Sequence, residues 1–87
     1  MSYMMIRHKV RDFDEWKAGY DAHLPAREAA GLREVQLLRN IDDSQEVVVL
    51  FEISDLEKAR AFAASEELKQ KMQEVGVIDW PDIYYLQ

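Results

Sequence analysis

The side chains in this sequence best suited to chemistry are two histidines, one arginine and a group of large aromatics. His8 stands in an alternating segment near the N-terminus, and Trp16, Tyr20, His23 and Arg27 follow at near-helical spacing. A histidine can take and return a proton near neutral pH, and an arginine can hold an enolate or carboxylate through charge-assisted hydrogen bonds. Trp16 and Tyr20 can sandwich a planar compound. Together these residues would make a polar-aromatic cavity if His8 points at the helix that carries the others. Trp80, next to Pro81, is expected to be buried, as a lid over that cavity or as a hydrophobic plug. The same residues also have purely structural readings. His8 can be a satisfied core histidine, Trp16 and Tyr20 lie at core spacing, and Arg27 can snorkel to a nearby carboxylate.

Other chemistries find little support. Two histidines fifteen positions apart do not have the ligand spacing of a zinc site, so no metal is expected. The absence of cysteine removes disulfides, thiolate metal sites and a cysteine nucleophile. Asp42-Asp43 reads as turn chemistry, and Glu66-Glu67 as a solvated helix start where negative charge is favoured. Three glycines form no phosphate-binding loop. The net charge is −6, with the acid excess concentrated after residue 39, so the chain should repel nucleic acid and anionic lipid. No apolar run approaches the roughly 18 residues of a membrane span, and the first ten residues lack the pattern of a secretory signal. The cytoplasm is the expected location.

Several elements must position these side chains. Residues 3 to 10 alternate, with Met4, Ile6, His8 and Val10 as the more apolar set, which predicts a strand. Asp12 and Glu15 have the spacing of a capping box, so a helix should start at about Phe13. Phe13, Trp16, Tyr20, Leu24 and Arg27 fall on its core side. Pro25 should break or restart that helix, and Gly31 should end it. Residues 32–39 and 46–53 read as a hairpin around a polar turn. Ser54 with Glu57 suggests a second capping box, followed by a stripe of Leu56, Ala59 and Ala63. The phase then slips, and Leu68, Met72 and Val75 begin a new stripe that Ser65 can cap, with Glu67 and Lys71 paired on the outside. Residues 77–82 form a loop and 83–86 a last strand.

The order is β-α-β-β-α-β, which predicts one domain over residues 1–87. Right-handed crossovers place both helical segments on one face of a four-stranded antiparallel sheet. Yet residues 47–51 and 83–86 are apolar at successive positions, so the opposite face is apolar too. A second copy of the chain, packed sheet against sheet, is the simplest cover, and it predicts a homodimer.

The chain resembles the dimeric α/β-barrel superfamily, a ferredoxin-like α+β fold that includes antibiotic biosynthesis monooxygenases. The resemblance runs over nearly the whole length. It is carried by the element order, by residues 9–17 (KVRDFDEWK), by residues 55–62 (DLEKARAF) followed by Ser65, and by Gly76-Val77 ahead of Trp80-Pro81. It implies a homodimer with a small-molecule cavity between sheet and helices. It further implies either a cofactor-independent monooxygenase or cyclase-like enzyme acting on a hydrophobic aromatic or polyketide-like compound, or a non-enzymatic ligand-binding or dimerisation protein. Haem-degrading members use an Asn, Trp and His set, and Asn40 falls in the hairpin turn, where it does not match.

Overall fold

Alternation and turn chemistry shape the sheet. In the computed structural model, which describes residues 1–87, β1 (Ser2–Lys9) lies between β3 (Glu46–Ile53) and β4 (Asp82–Leu86), with β2 (Leu32–Arg39) beyond β3. All pairings are antiparallel, and the order β2-β3-β1-β4 is that of the ferredoxin-like fold. In β1, Met4, Ile6 and His8 face inward opposite Phe51, Val49 and Val47. Strand β2 carries a bulge at Val35, between Glu34 and Gln36. The extra residue keeps both Glu34 and Leu37 on the helix side and leaves Val35 exposed.

Four short helices cover the inner face: α1 (Phe13–Ala22), α2 (Leu24–Ala29), α3 (Leu56–Ala63) and α4 (Glu66–Glu74). Asp12 caps α1 by accepting from the Glu15 amide, while the Glu15 carboxylate is taken by Arg11. Half of the expected capping box therefore forms. The expected break falls at His23, Pro25 sits in the first turn of α2, and Gly31 follows at φ 76. Ser65 caps α4 through the Leu68 amide, as its position suggests.

Three expectations need correction. Asp55, not Ser54, caps α3, because the Ser54 amide and hydroxyl both donate to the Gly31 carbonyl and hold Ser54 at the sheet edge. Leu24 and Leu56, expected in the core, are exposed. Each is the first residue of its helix, where the side chain tilts back past the N-terminal end rather than onto the sheet. The Glu67–Lys71 pair does not form, and Lys71 lies 3.8 Å from Glu74 instead.

Gly19 sets how closely α1 approaches the end of α4. A Cβ at Gly19 would lie 2.0 Å from the Val75 Cγ1 methyl. Gly19→Ala should therefore destabilise the fold by about 1–3 kcal/mol through overpacking, despite the gain of about 1 kcal/mol in helix propensity. Adding Val75→Ala should recover most of that loss, and urea unfolding of the three variants would measure the coupling. Simple additivity would contradict the close approach.

The outer face of the sheet carries Tyr3, Met5, Leu38, Val48, Leu50, Tyr84 and Leu86, with Leu38, Tyr84 and Leu86 well exposed. Arg7 bridges Glu46, Asp79 and Asp82 at one end of this face, and Arg33 pairs with Glu52 at the other. No helix is long and apolar enough to cross a membrane.

Candidate functional site

Five of the six residues singled out by type converge on one cavity. His8 from β1, Trp16 and Tyr20 from α1, His23 at the α1–α2 break and Arg27 from α2 all line a space of about 60 Å³ between the sheet and the helices. Phe62 from α3 and Leu68, Lys71 and Met72 from α4 also line it, and the sheet contributes Met4, Ile6, Val49 and Phe51. Trp80 does not take part. It is 81% exposed and borders a separate surface groove beside α4, so the expected burial as lid or plug is corrected. The loop before β4 is anchored by Asp79, which binds the Lys9 amide and Arg7, and this leaves the indole outside.

His8 occupies an inward strand position and is only 3% exposed. Neither ring nitrogen has a protein hydrogen-bond partner. Its ring meets Trp16 edge to face at 5.6 Å between centroids. Burial pushes its pKa down to about 4, with Arg7 adding to the drop and Asp79 opposing it, so the imidazole is neutral at physiological pH. A neutral imidazole has one donor and one acceptor nitrogen, and here the protein uses neither.

Trp16 stacks on Tyr20 with centroids 4.8 Å apart, so the expected sandwich of a planar compound between these two rings is corrected: each ring already covers a face of the other. The Tyr20 hydroxyl donates to Glu34 at 2.8 Å, which the β2 bulge keeps on this side of the sheet. Burial and the Glu34 carboxylate raise the Tyr20 pKa, so the phenol stays protonated. The Arg27 guanidinium lies 3.7 Å from the Tyr20 ring centroid and donates to the Tyr20 backbone carbonyl. Arg27 is 7% exposed and forms no salt bridge, so the expected snorkelling to a carboxylate does not occur. A cation–π contact and one backbone carbonyl are the contacts that hold this charge.

His23 stands nearer the surface, tilted against Phe62 with its Nε2 4.0 Å from Glu67. Desolvation lowers its pKa, as do Lys71 and Arg27, while Glu67 opposes them. Lys71 was not among the residues suggested by type, because its spacing from Glu67 suits a surface pair. The missed signal is its position three after Leu68 and four before Val75, which puts it on the inward side of α4. No group of three or more His, Asp or Glu side chains is arranged to hold a metal ion.

No protein-family model matches this sequence, and no curated protein matches it. Solved structures do. A protein from Bordetella bronchiseptica, provisionally assigned as an antibiotic biosynthesis monooxygenase, superposes with a TM-score of 0.78 at 18% identity, covering 99% of this chain and 94% of the other. A variant of a cofactor-independent oxygenase from Streptomyces nogalater gives 0.72 at 15% identity, covering 99% and 90%. A conserved protein from Methanosarcina mazei gives the same score at 10% identity, covering 100% and 92%. At these identities the likeness establishes the shared ferredoxin-like fold, and function must be argued from the site.

Proposed function

We propose that this chain, built on the ferredoxin-like fold of these monooxygenase-like structures, forms a homodimer whose subunits each bind a planar, ionisable aromatic compound and oxidise it without a bound cofactor. The observation that carries the reading is the pairing of a neutral, unpartnered His8 with a buried Arg27 free of any carboxylate, on one cavity walled by stacked Trp16 and Tyr20. Buried polar groups are normally satisfied within the protein, so groups left available mark a place where a ligand completes the bonding.

The chemistry follows from these states. His8 accepts the hydrogen bond of a phenol or enol, and Arg27 stabilises the negative charge as the proton leaves. His23, at the outer side with Glu67 close by, passes the proton to solvent. With a quinol, the anion then gives two electrons to dioxygen, and with the two protons released this forms the quinone and hydrogen peroxide, so oxygen is the oxidant. The Streptomyces neighbour, described as a cofactor-independent oxygenase, supports this class of reaction.

Oxygen uptake with a quinol or anthrone-type substrate tests the reading. Uptake that is lost in Arg27→Met is the expected result. Removing one anion-stabilising donor typically costs about 100- to 1000-fold in turnover. Undiminished uptake in Arg27→Met would remove Arg27 from the chemistry. One observation favours a second, non-enzymatic reading: the cavity of about 60 Å³ is smaller than the roughly 150 Å³ known to hold benzene. Oxidation of an aromatic ring therefore requires the lining to open, whereas binding a smaller ligand does not. Retention of a compound through purification without turnover would identify the binder. Haem is not proposed, since the cavity is far too small for it.

The apolar outer face of the sheet supports the dimer. Leu86 pairs with Tyr3 there and is exposed in the single chain. Leu86→Asp should place a charge inside a sheet-on-sheet interface and convert the dimer to monomer, which native mass spectrometry would read directly. A wild-type monomer at micromolar concentration would refute the dimer. The cytoplasm remains the proposed location.

A further inference from the structure

Two spaces in the molecule share one wall. The cavity under the helices, about 60 Å³, and the groove beside α4, about 420 Å³, are both lined by Leu68 and Met72. These two residues stand one helical turn apart on the same side of α4 and form a row between the spaces. On one side of the row lie His8 and Trp16, and on the other lie Ile78, Trp80, Pro81 and Ile83. The row is lightly held. Leu68 is the one fully buried residue of α4, and Met72 is half-buried. A methionine is unbranched, with three rotatable bonds, and adapts readily to a new neighbour. The other walls are firmer. Met4, Ile6, Val49 and Phe51 belong to paired strands, and Gly19 of α1 packs closely on Val75.

We infer that the cavity and the groove are two halves of one binding site, parted in the free chain by Leu68 and Met72, and that its ligand is a fused-ring aromatic compound. The leading ring enters the cavity toward His8, and the remaining rings lie along the groove against Trp80. This rests on the proposed aromatic-binding cavity and adds the size of the ligand and specificity roles for Met72 and Trp80. Size carries the inference. The cavity alone is smaller than the roughly 150 Å³ that holds benzene, so even one ring has to displace part of the lining. Opened past Met72 into the groove, the joined space reaches the range of roughly 300–1,000 Å³ usual for small-molecule sites. The outer half also offers apolar surface to cover, since Ile78 and Trp80 are both exposed in the single chain.

Trp16 and Trp80 are the two tryptophans of the chain, one on each space, so fluorotryptophan labelling gives one fluorine NMR resonance for each half of the site. Anthrone, with three fused rings, and phenol, with one, are titrated without oxygen, so that binding is read without turnover. Anthrone is expected to move both resonances with a single Kd and to bind at least ~10-fold more tightly than phenol. Trp80 is largely exposed, so its truncation spares the core. Trp80→Ala should reduce the preference for anthrone over phenol by ~10-fold or more, and Met72→Ala, which thins the partition, should raise it by at least ~3-fold. A shift of the Trp16 resonance alone by anthrone would overturn the joined site and leave the aromatic cavity standing. A shift of the Trp80 resonance alone, or a preference unchanged in Trp80→Ala, would overturn the joined site as well. A preference unmoved by Met72→Ala would remove Met72 from the partition. If neither compound moved the Trp16 resonance, the reading of the cavity as an aromatic site would fall too.

Discussion

Replacing His8 with leucine is expected to make the protein more stable and inactive at once. His8 is buried on the core side of β1 beside Met4 and Ile6, and neither ring nitrogen meets a protein partner. Exchanging such a group for an apolar one of similar size removes a desolvation penalty of about 1–3 kcal/mol. In a domain of this length each kcal/mol moves the melting temperature by about 4–8 °C, so a rise of at least ~4 °C is expected. Oxygen uptake, where present, should fall by about 100-fold or more, the usual scale for loss of a positioned proton acceptor. A stabilised, inactive variant is the signature of a residue kept for function at a cost in stability. An unchanged or lower melting temperature would mean that the imidazole is satisfied in solution and belongs to the packing.

The same residue predicts how stability depends on pH. The histidine pKa falls from 6.5 to about 4 on folding, because burial disfavours the imidazolium. Between those values the unfolded chain binds the proton and the folded chain does not, so stability rises with pH. The contribution is fully present above pH 6.5 and is lost as the pH falls through 4, on the order of 3 kcal/mol in total. His23 acts in the same direction, since its pKa is also lowered. Urea unfolding at a series of pH values should show the wild type losing stability over this window much more steeply than His8→Leu. Parallel curves would show that His8 does not titrate differently in the two states.

Trp16→Ala is expected to be the most damaging single truncation. Trp16 is the only residue of α1 that is fully buried, and its ring contacts His8, Phe13 and Tyr20. Truncating a buried tryptophan costs about 3–5 kcal/mol, a large share of the roughly 4–13 kcal/mol available to a chain of this length. The melting temperature should fall by at least ~12 °C. The indole-sized void would merge with the existing cavity, so added indole should bind the variant and recover part of the loss by mass action. A melting temperature unmoved by indole would mean that the helices collapse over the space, and that α1 is held more loosely than its packing suggests.

Local physics made much of this molecule legible from residue order. Alternation put Met4, Ile6, His8 and Val10 on one face, Pro25 and Gly31 bounded the second helix, and Ser65 capped the fourth. These outcomes depend on contacts within a few residues, or on a period of two or 3.6 that any core would select. The strand and helix order then allowed essentially one topology, because right-handed crossovers leave few alternatives. Residue type also suggested His8, Trp16, Tyr20, His23 and Arg27 as a group, since four of them follow one another at near-helical spacing and the fifth belongs to the apolar set of β1.

Other features depended on distances between segments far apart in sequence. Nothing local shows that Asp79 anchors the loop before β4 and turns Trp80 out to solvent, or that Ser54 bonds to Gly31 and shifts the cap of α3 by one residue. The bulge that brings Glu34 to Tyr20 arises from pairing with β3, and the absence of a carboxylate beside Arg27 is a property of the whole neighbourhood. Lys71 reads as a surface residue until α4 is seen to cross the cavity. Periodicity tells which side of an element is apolar. Which charges meet across the space between elements, and which remain unpaired, is decided only when the chain closes on itself.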